Sequence, residues 1–81
     1  MVTVYVDDLR TWNGRRWCSL CATNESELDL FAVSKLGLKT QWLQRTGGYL
    51  HYDLRPALRD EALRKGARYI STEELLKRVR R

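Results

Sequence analysis

Eighty-one residues with 15 Lys and Arg against 10 Asp and Glu carry a formal charge of +5, and 43% of the side chains are hydrophobic. That length allows one domain over 1–81, burying about 60% of its unfolded surface, and argues against a large enclosed active site. No apolar run approaches the roughly 18 residues a membrane span needs, the start MVTVYVDDLR lacks a signal-peptide pattern, and two cysteines are too few for a disulfide scaffold, so a cytoplasmic protein without membrane attachment is expected.

The first element in the chain is Val2-Thr3-Val4-Tyr5-Val6, whose alternation predicts a strand burying Val2, Val4 and Val6. Asp7 and Asp8 follow at its C-terminal end, where ligands collect in open α/β sheets. Asn13-Gly14 signals a turn, and a second, antiparallel strand is expected from Arg16 or Trp17 to Ala22. Asn24 and Glu27 form a capping box for a helix with Leu28, Phe31, Ala32 and Leu36 on one face and Gly37 beyond its end. In 38–52 both Thr40–Gln44 and Tyr49–Tyr52 look extended, and at least one strand is expected. Asp53 is placed to cap a second helix with Pro56 in its first turn and Gly66 at its close, its polar side lined by Arg55, Arg59, Arg64 and Lys65. Arg68-Tyr69-Ile70 reads as a short strand, and Ser71 with Glu74 caps a terminal helix carrying Leu75, Leu76 and Val79. The order ββαβαβα predicts an α/β fold, a mixed sheet of three or four strands with three helices.

Charge is uneven along this chain. Residues 1–53 hold six basic and six acidic groups, whereas residues 54–81 hold nine basic against four acidic and end in Lys77, Arg78, Arg80 and Arg81. Such a run attracts polyanions, and it equally suits a solvated helix end whose cations complement the helix dipole. With Arg15, Arg16 and Arg59 these four side chains make a candidate nucleic-acid surface. Trp12, Trp17, Trp42, Tyr49 and Tyr52 could stack bases beside them or supply core volume, the latter expected for one or two of the tryptophans.

Adjacent carboxylates repel, so Asp7 and Asp8 call for a divalent cation or a guanidinium from Arg10, Arg15 or Arg16, unless the pair simply caps the loop that follows the strand. His51 and Asp53, two apart on an extended segment, face the same way, as for a shared metal or an oriented proton carrier, although a cap and a half-buried sheet histidine read as well. If the strand ending in Asp7-Asp8 neighbours the one with His51, then Asp7, Asp8, His51 and Asp53 form a catalytic or metal site of oxygen ligands and one imidazole, suited to magnesium or manganese. Cys18 and Cys21 spell C-x-x-C, but three residues apart on a strand they face opposite sides and cannot share zinc.

Tyr5-Val6-Asp7-Asp8, Trp17-Cys18-Ser19-Leu20, Trp42, His51-Tyr52-Asp53 and Gly66-Ala67 together resemble an uncharacterised family of small bacterial and bacteriophage proteins, a domain of unknown function reading YVDD, WCHL, an acid, Trp-Phe-Gln, HYD and Gly-Ala. The resemblance implies that Asp7, Asp8, His51 and Asp53 are motif positions and supplies no activity. Ser19 stands where that family has histidine, Thr23 where it has the acid, and Leu43 where it has phenylalanine. A small domain handling a nucleotide or nucleic acid phosphate, with or without a metal, is the leading expectation. The alternatives are a non-catalytic nucleic-acid binder using the basic C-terminal helix and a module for a host protein or a second copy of itself.

Overall fold

The computed structural model describes residues 3–79. Val2, Arg80 and Arg81, assigned above to the first strand and to the basic surface, lie outside the described residues.

Strand β1 (Val4–Val6) runs into a hairpin arm made of β2 (Arg10–Trp12) and the start of β3 (Arg15–Ala22). Asn13 and Gly14 take φ of 53° and 75°, and Trp12 pairs directly with Arg15. This is the two-residue turn with both central residues left-handed that matches the twist of paired strands. The arm adds one strand to the expected order, so the sheet has five strands rather than three or four. The loop expected after Asp8 is itself paired, because the residues flanking the turn extend β3 backwards.

Between β1 and β2 the register slips. Val6 faces Leu20 and Arg10 faces Trp17, so four steps along one strand match three along β3. The extra residue is a bulge at Asp8-Leu9, a device that bends a strand and re-aims its side chains.

Helix α1 (Glu25–Leu36) begins as predicted: the Asn24 side chain accepts from the Glu27 N–H at 2.8 Å, and Gly37 ends it at φ 69°. Leu28 and Ala32 are buried against the sheet while Leu30 and Val33 remain exposed. Thr40–Trp42 coils into a single 3₁₀ turn, not a strand, and strand β4 (Tyr52–Leu54) starts later than expected, after an isolated bridge between Gln44 and His51. Asp53 is a residue of β4 opposite Ser19, not a helix cap. Helix α2 (Pro56–Arg64) is capped from Arg55 without a side-chain bond, and Pro56 at its start needs no N–H there. Strand β5 (Arg68–Tyr69) pairs parallel to β1, and helix α3 (Thr72–Val79) has its Glu74 N–H bonded to Ser71 Oγ at 3.2 Å.

The hydrogen-bonded order is β2-β3-β1-β5, with β4 on β3. One sheet face carries Val4, Val6, Cys18, Leu20, Tyr52 and Leu54, packed with Leu28 and Ala32 of α1 and Ala62 of α2. The other carries Tyr5 and Cys21, covered by Leu75 of α3. The two thiols thus sit on opposite faces of β3, as the alternation requires, and burial pushes both up to about 12. Neither presents a thiolate at neutral pH. The aromatic core is built from tyrosines: Tyr52 and Tyr5 are buried, whereas Trp12 is 70% exposed and Trp42 49%. No helix among the described residues is long and apolar enough to cross a membrane.

Candidate functional site

The two aspartates differ in burial but both reach Thr72 at the start of α3. Asp7 turns under α3 and is fully buried. Its Oδ1 accepts from the Ser19 backbone N–H at 2.7 Å, and its Oδ2 accepts from Arg10 Nη1 at 2.5 Å and from Thr72 Oγ1 at 3.0 Å. Asp8 is more exposed: Oδ1 accepts from Tyr69 Oη at 2.5 Å and Oδ2 from the Thr72 N–H at 3.2 Å. The hydrogen bond from Tyr69, then the one from Thr72, holds the Asp8 carboxyl below the usual carboxylate range, and the same contact pushes the Tyr69 hydroxyl up. Repulsion between neighbouring carboxylates is thus offset by the donors on each, among them the Arg10 guanidinium on Asp7, Arg10 being one of the three arginines expected to provide it.

Because Asp8 is held ionised more firmly in the folded chain, its contribution to stability is present above about pH 4, where the unfolded group titrates, and disappears as pH falls through the lower folded value. The expected result is that Asp8→Asn lowers Tm at neutral pH and that the gap to the parent closes on acidification below about pH 4, measured by circular dichroism melts across a pH series. A gap independent of pH would show that the carboxylate charge is not what Tyr69 and the α3 N-terminus hold.

His51 and Asp53 do face the same way, as residues two apart on an extended strand must: Nε2 lies 3.4 Å from Asp53 Oδ1. His51 is buried, with its ring stacked on Tyr49 at 4.4 Å between centroids, while the Asp53 side chain is 44% exposed. The Asp7-Asp8 pair and the His51–Asp53 pair do not merge into one cluster, because β3 lies between β1 and β4. Two strand spacings separate the backbones of Asp7 and Asp53 by roughly 10 Å. Among the described residues no group of three or more His, Cys, Asp or Glu side chains stands close enough to hold a metal ion.

Ser19 occupies the gap. Its Oγ accepts from Arg10 Nη2 at 3.0 Å and lies 3.2 Å from Tyr49 Oη, so a chain of polar contacts runs from Thr72 and Asp7 through Arg10, Ser19 and Tyr49 to His51 and Asp53. The sequence flagged Ser19 only as a departure from a motif. Tyr49 was named only as a stacking or core aromatic, and Thr72 and Tyr69 were given no site role: Thr72 meets Asp7 across 65 positions, a contact that no local pattern signals.

The candidate nucleic-acid residues fall into three groups. Arg59 Nε donates to the Asp7 carbonyl at 3.0 Å and its guanidinium lies over Tyr69 at 5.7 Å, so it braces the site from α2. On α3, Lys77 pairs with Glu73 and Arg78 with Glu74 one turn away, and Arg78 also lies over Tyr5. On the arm, Arg15 and Arg16 are exposed and make no ion pair among the described residues. Residues paired across a ladder share a face, so Trp12, Arg15, Arg10 and Trp17 lie on one side of the arm, leading toward Ser19. A groove of about 750 Å³ opens between α1 and the end of α3, but its two guanidiniums, Arg45 and Arg78, are already paired with Glu25 and Glu74.

Residues 4–81 match the family described as Protein of unknown function (DUF4031). The chain belongs to that family. It spans β1 to α3, so the bulged Asp7-Asp8 segment, the Ser19 junction and the His51–Asp53 pair all fall within the DUF4031 match. No curated protein and no solved structure matches the chain.

Proposed function

We propose that this domain binds nucleic acid phosphate through its hairpin arm and acts as a single-strand-binding module. The observation that carries the reading is Trp12, 70% exposed and directly across the ladder from the unpaired Arg15. An indole held open on a rigid two-residue turn beside a cation offers a base a π-face and its phosphate a charge. The arm is favoured over the C-terminal helix because Lys77 and Arg78 are partly neutralised by their own helix, whereas Arg15 and Arg16 are not.

The expected result is that a short fluorescein-labelled single-stranded DNA binds with an affinity that falls steeply with salt. Trp12→Ala should weaken it by about 1–3 kcal/mol, and Arg15→Ala should reduce the log–log salt slope by about 0.7. Fluorescence anisotropy at several salt concentrations measures both, and an affinity indifferent to Trp12 and Arg15 would sink the reading.

A metal-dependent version, with magnesium or manganese at Asp7, Asp8, His51 and Asp53, has less support. Both oxygens of Asp7 and both of Asp8 already accept hydrogen bonds, which leaves Asp53 beside His51 as the carboxylate open to a cation. Paramagnetic manganese separates the two versions: selective loss of amide NMR signals around residues 7, 8 and 51–53 at low manganese would favour the metal site, and uniform broadening would favour the binding module.

A further inference from the structure

A second cavity, of about 420 Å³, lies beside β4 and is walled by Trp17, Trp42, Gln41, Gln44, Asp53 and Arg55. Its volume falls within the range of small-ligand pockets, roughly 300–1,000 Å³. Two of its wall groups have unmet needs. Trp17 Nε1 and Arg55 Nε are both buried and have no hydrogen-bond partner among the described residues. Buried donors without acceptors are rare and disfavour the free fold. Both belong to one stack, with the Arg55 guanidinium 5.3 Å from the Trp17 ring centroid. Opposite them Trp42 is half-exposed on its 3₁₀ turn, with the Lys39 ammonium 5.7 Å from its ring.

We propose that this cavity is a nucleobase pocket. A planar base is a ligand class that suits these walls: indole faces and the apolar Leu38 and Leu58 for its ring, two donors for its carbonyl or ring-nitrogen acceptors, and amide and carboxylate groups for its edge. Glutamine amides and aspartate carboxylates are the groups that read base edges by paired donors and acceptors. The two donors are buried at the Arg55–Trp17 stack, so a ring that displaced Arg55 from Trp17 would offer both an acceptor. The pocket also continues the arm. Trp17 follows Arg15 by two residues on the same face of β3, about 7 Å further along, so a strand stacked on Trp12 passes the mouth of the cavity with its next bases.

The proposal deepens the single-strand reading and rests on it, so its test must be able to fail separately. Short single-stranded dA, dC and dT oligonucleotides and an abasic strand of equal length are titrated into the parent, Trp42→Ala and Trp17→Phe proteins. The parent is expected to favour one base over the abasic strand by roughly tenfold or more, the discrimination typical of good base-edge contacts. Trp42→Ala should bring all four strands within about twofold of one another. Trp17→Phe, which deletes the orphan N–H, should lose the same preference while the Tm of the free protein stays at the parent value or rises, a pairing that a purely structural role does not produce.

Parent protein that binds all four strands equally overturns the pocket and leaves the arm reading intact. Free adenosine, cytidine and thymidine, which carry no phosphate, probe the pocket without the arm. Quenching of tryptophan fluorescence by one of them, lost in Trp42→Ala, supports the pocket even if oligonucleotides fail to bind. No quenching by any nucleoside at millimolar concentration overturns it.

Discussion

Asp7→Ala is expected to lower the stability of this domain by about 3–5 kcal/mol, the combined cost of leaving the buried Ser19 N–H without an acceptor and of losing the charge-assisted hydrogen bonds from Thr72 and Arg10. The carboxylate is fully buried and accepts from three donors on three different segments: Arg10 of β2, the Ser19 N–H of β3 and Thr72 of α3. Truncation strands the Ser19 N–H without an acceptor at the middle of the sheet and unties the start of α3. Arg10 is less affected, because its side chain is 43% exposed and can turn to water. For a domain of this size the loss corresponds to a fall in Tm of roughly 15–30 °C, readable by circular dichroism. A fall of only a few degrees would mean that the three donors find other acceptors and that Asp7 is not the junction of the fold. The control is Arg10→Ala combined with Asp7→Ala. If the ion pair dominates, the double variant recovers part of the loss; if the Ser19 N–H dominates, it recovers none.

This changes how any functional assay on Asp7 must be read. A small domain has only about 5–15 kcal/mol of stability in total, so an Asp7 variant that loses an activity has first of all lost much of its fold. Asp53 is the cleaner probe, being half-exposed and bonded to His51 alone of the ionisable groups.

The sequence carried the periodic and capped parts of the fold well. Helix α1 was legible from Asn24, Glu27 and Gly37, α3 from Ser71 and Glu74, and the buried face of β1 from Val4 and Val6, because each of these signals lies within a few residues of the element it specifies. What escaped was set by distant partners. The arm residues 10–12 have no alternation to mark them as a strand, since all three are exposed and their pairing with β3 is fixed by the turn at Asn13-Gly14. Asp53 has a cap's identity and a cap's spacing from Pro56, yet the ladder with Ser19 holds it in β4. The site followed the same rule. The pairing of His51 with Asp53 was visible because it is local, whereas its separation from the Asp7-Asp8 pair was not, because it depends on β3 lying between β1 and β4. Of the five aromatics offered as stacking or core groups, Tyr52 is the one fully buried, because it can bury its ring and still donate to Asp29 at 2.7 Å, while Trp17 is half-buried and Trp12 and Trp42 are exposed.

Leu75→Ala is expected to release α3 while leaving the arm in place, and so to decide between the two basic surfaces. Leu75 is fully buried and is the side chain of α3 that closes the small cluster of Tyr5 and Cys21, so truncation should cost about 2–5 kcal/mol. An eight-residue helix has little stability of its own, since isolated helices shorter than roughly 12–15 residues are marginal in water. What keeps α3 in place besides Leu75 is partly buried Val79 on the same cluster, Arg78 over the Tyr5 ring, and the attachment of Thr72 to Asp7, Asp8 and Arg10. Loss of the packing should therefore show first as rapid amide exchange over 72–79 and a smaller helical signal, with the hairpin pairing of β2 and β3 still protected. Under conditions where that pairing persists, binding through Trp12 and Arg15 predicts an affinity for single-stranded DNA within about threefold of the parent, as the arm's hydrogen bond to α3 comes from Arg10, which donates to Thr72 Oγ1 at 3.0 Å, and not from the two binding residues. Binding through Lys77 and Arg78 predicts a loss of roughly tenfold or more, because those cations keep their positions only while the helix is docked. An arm that is intact by exchange but no longer binds would move the interface from the hairpin to the terminal helix.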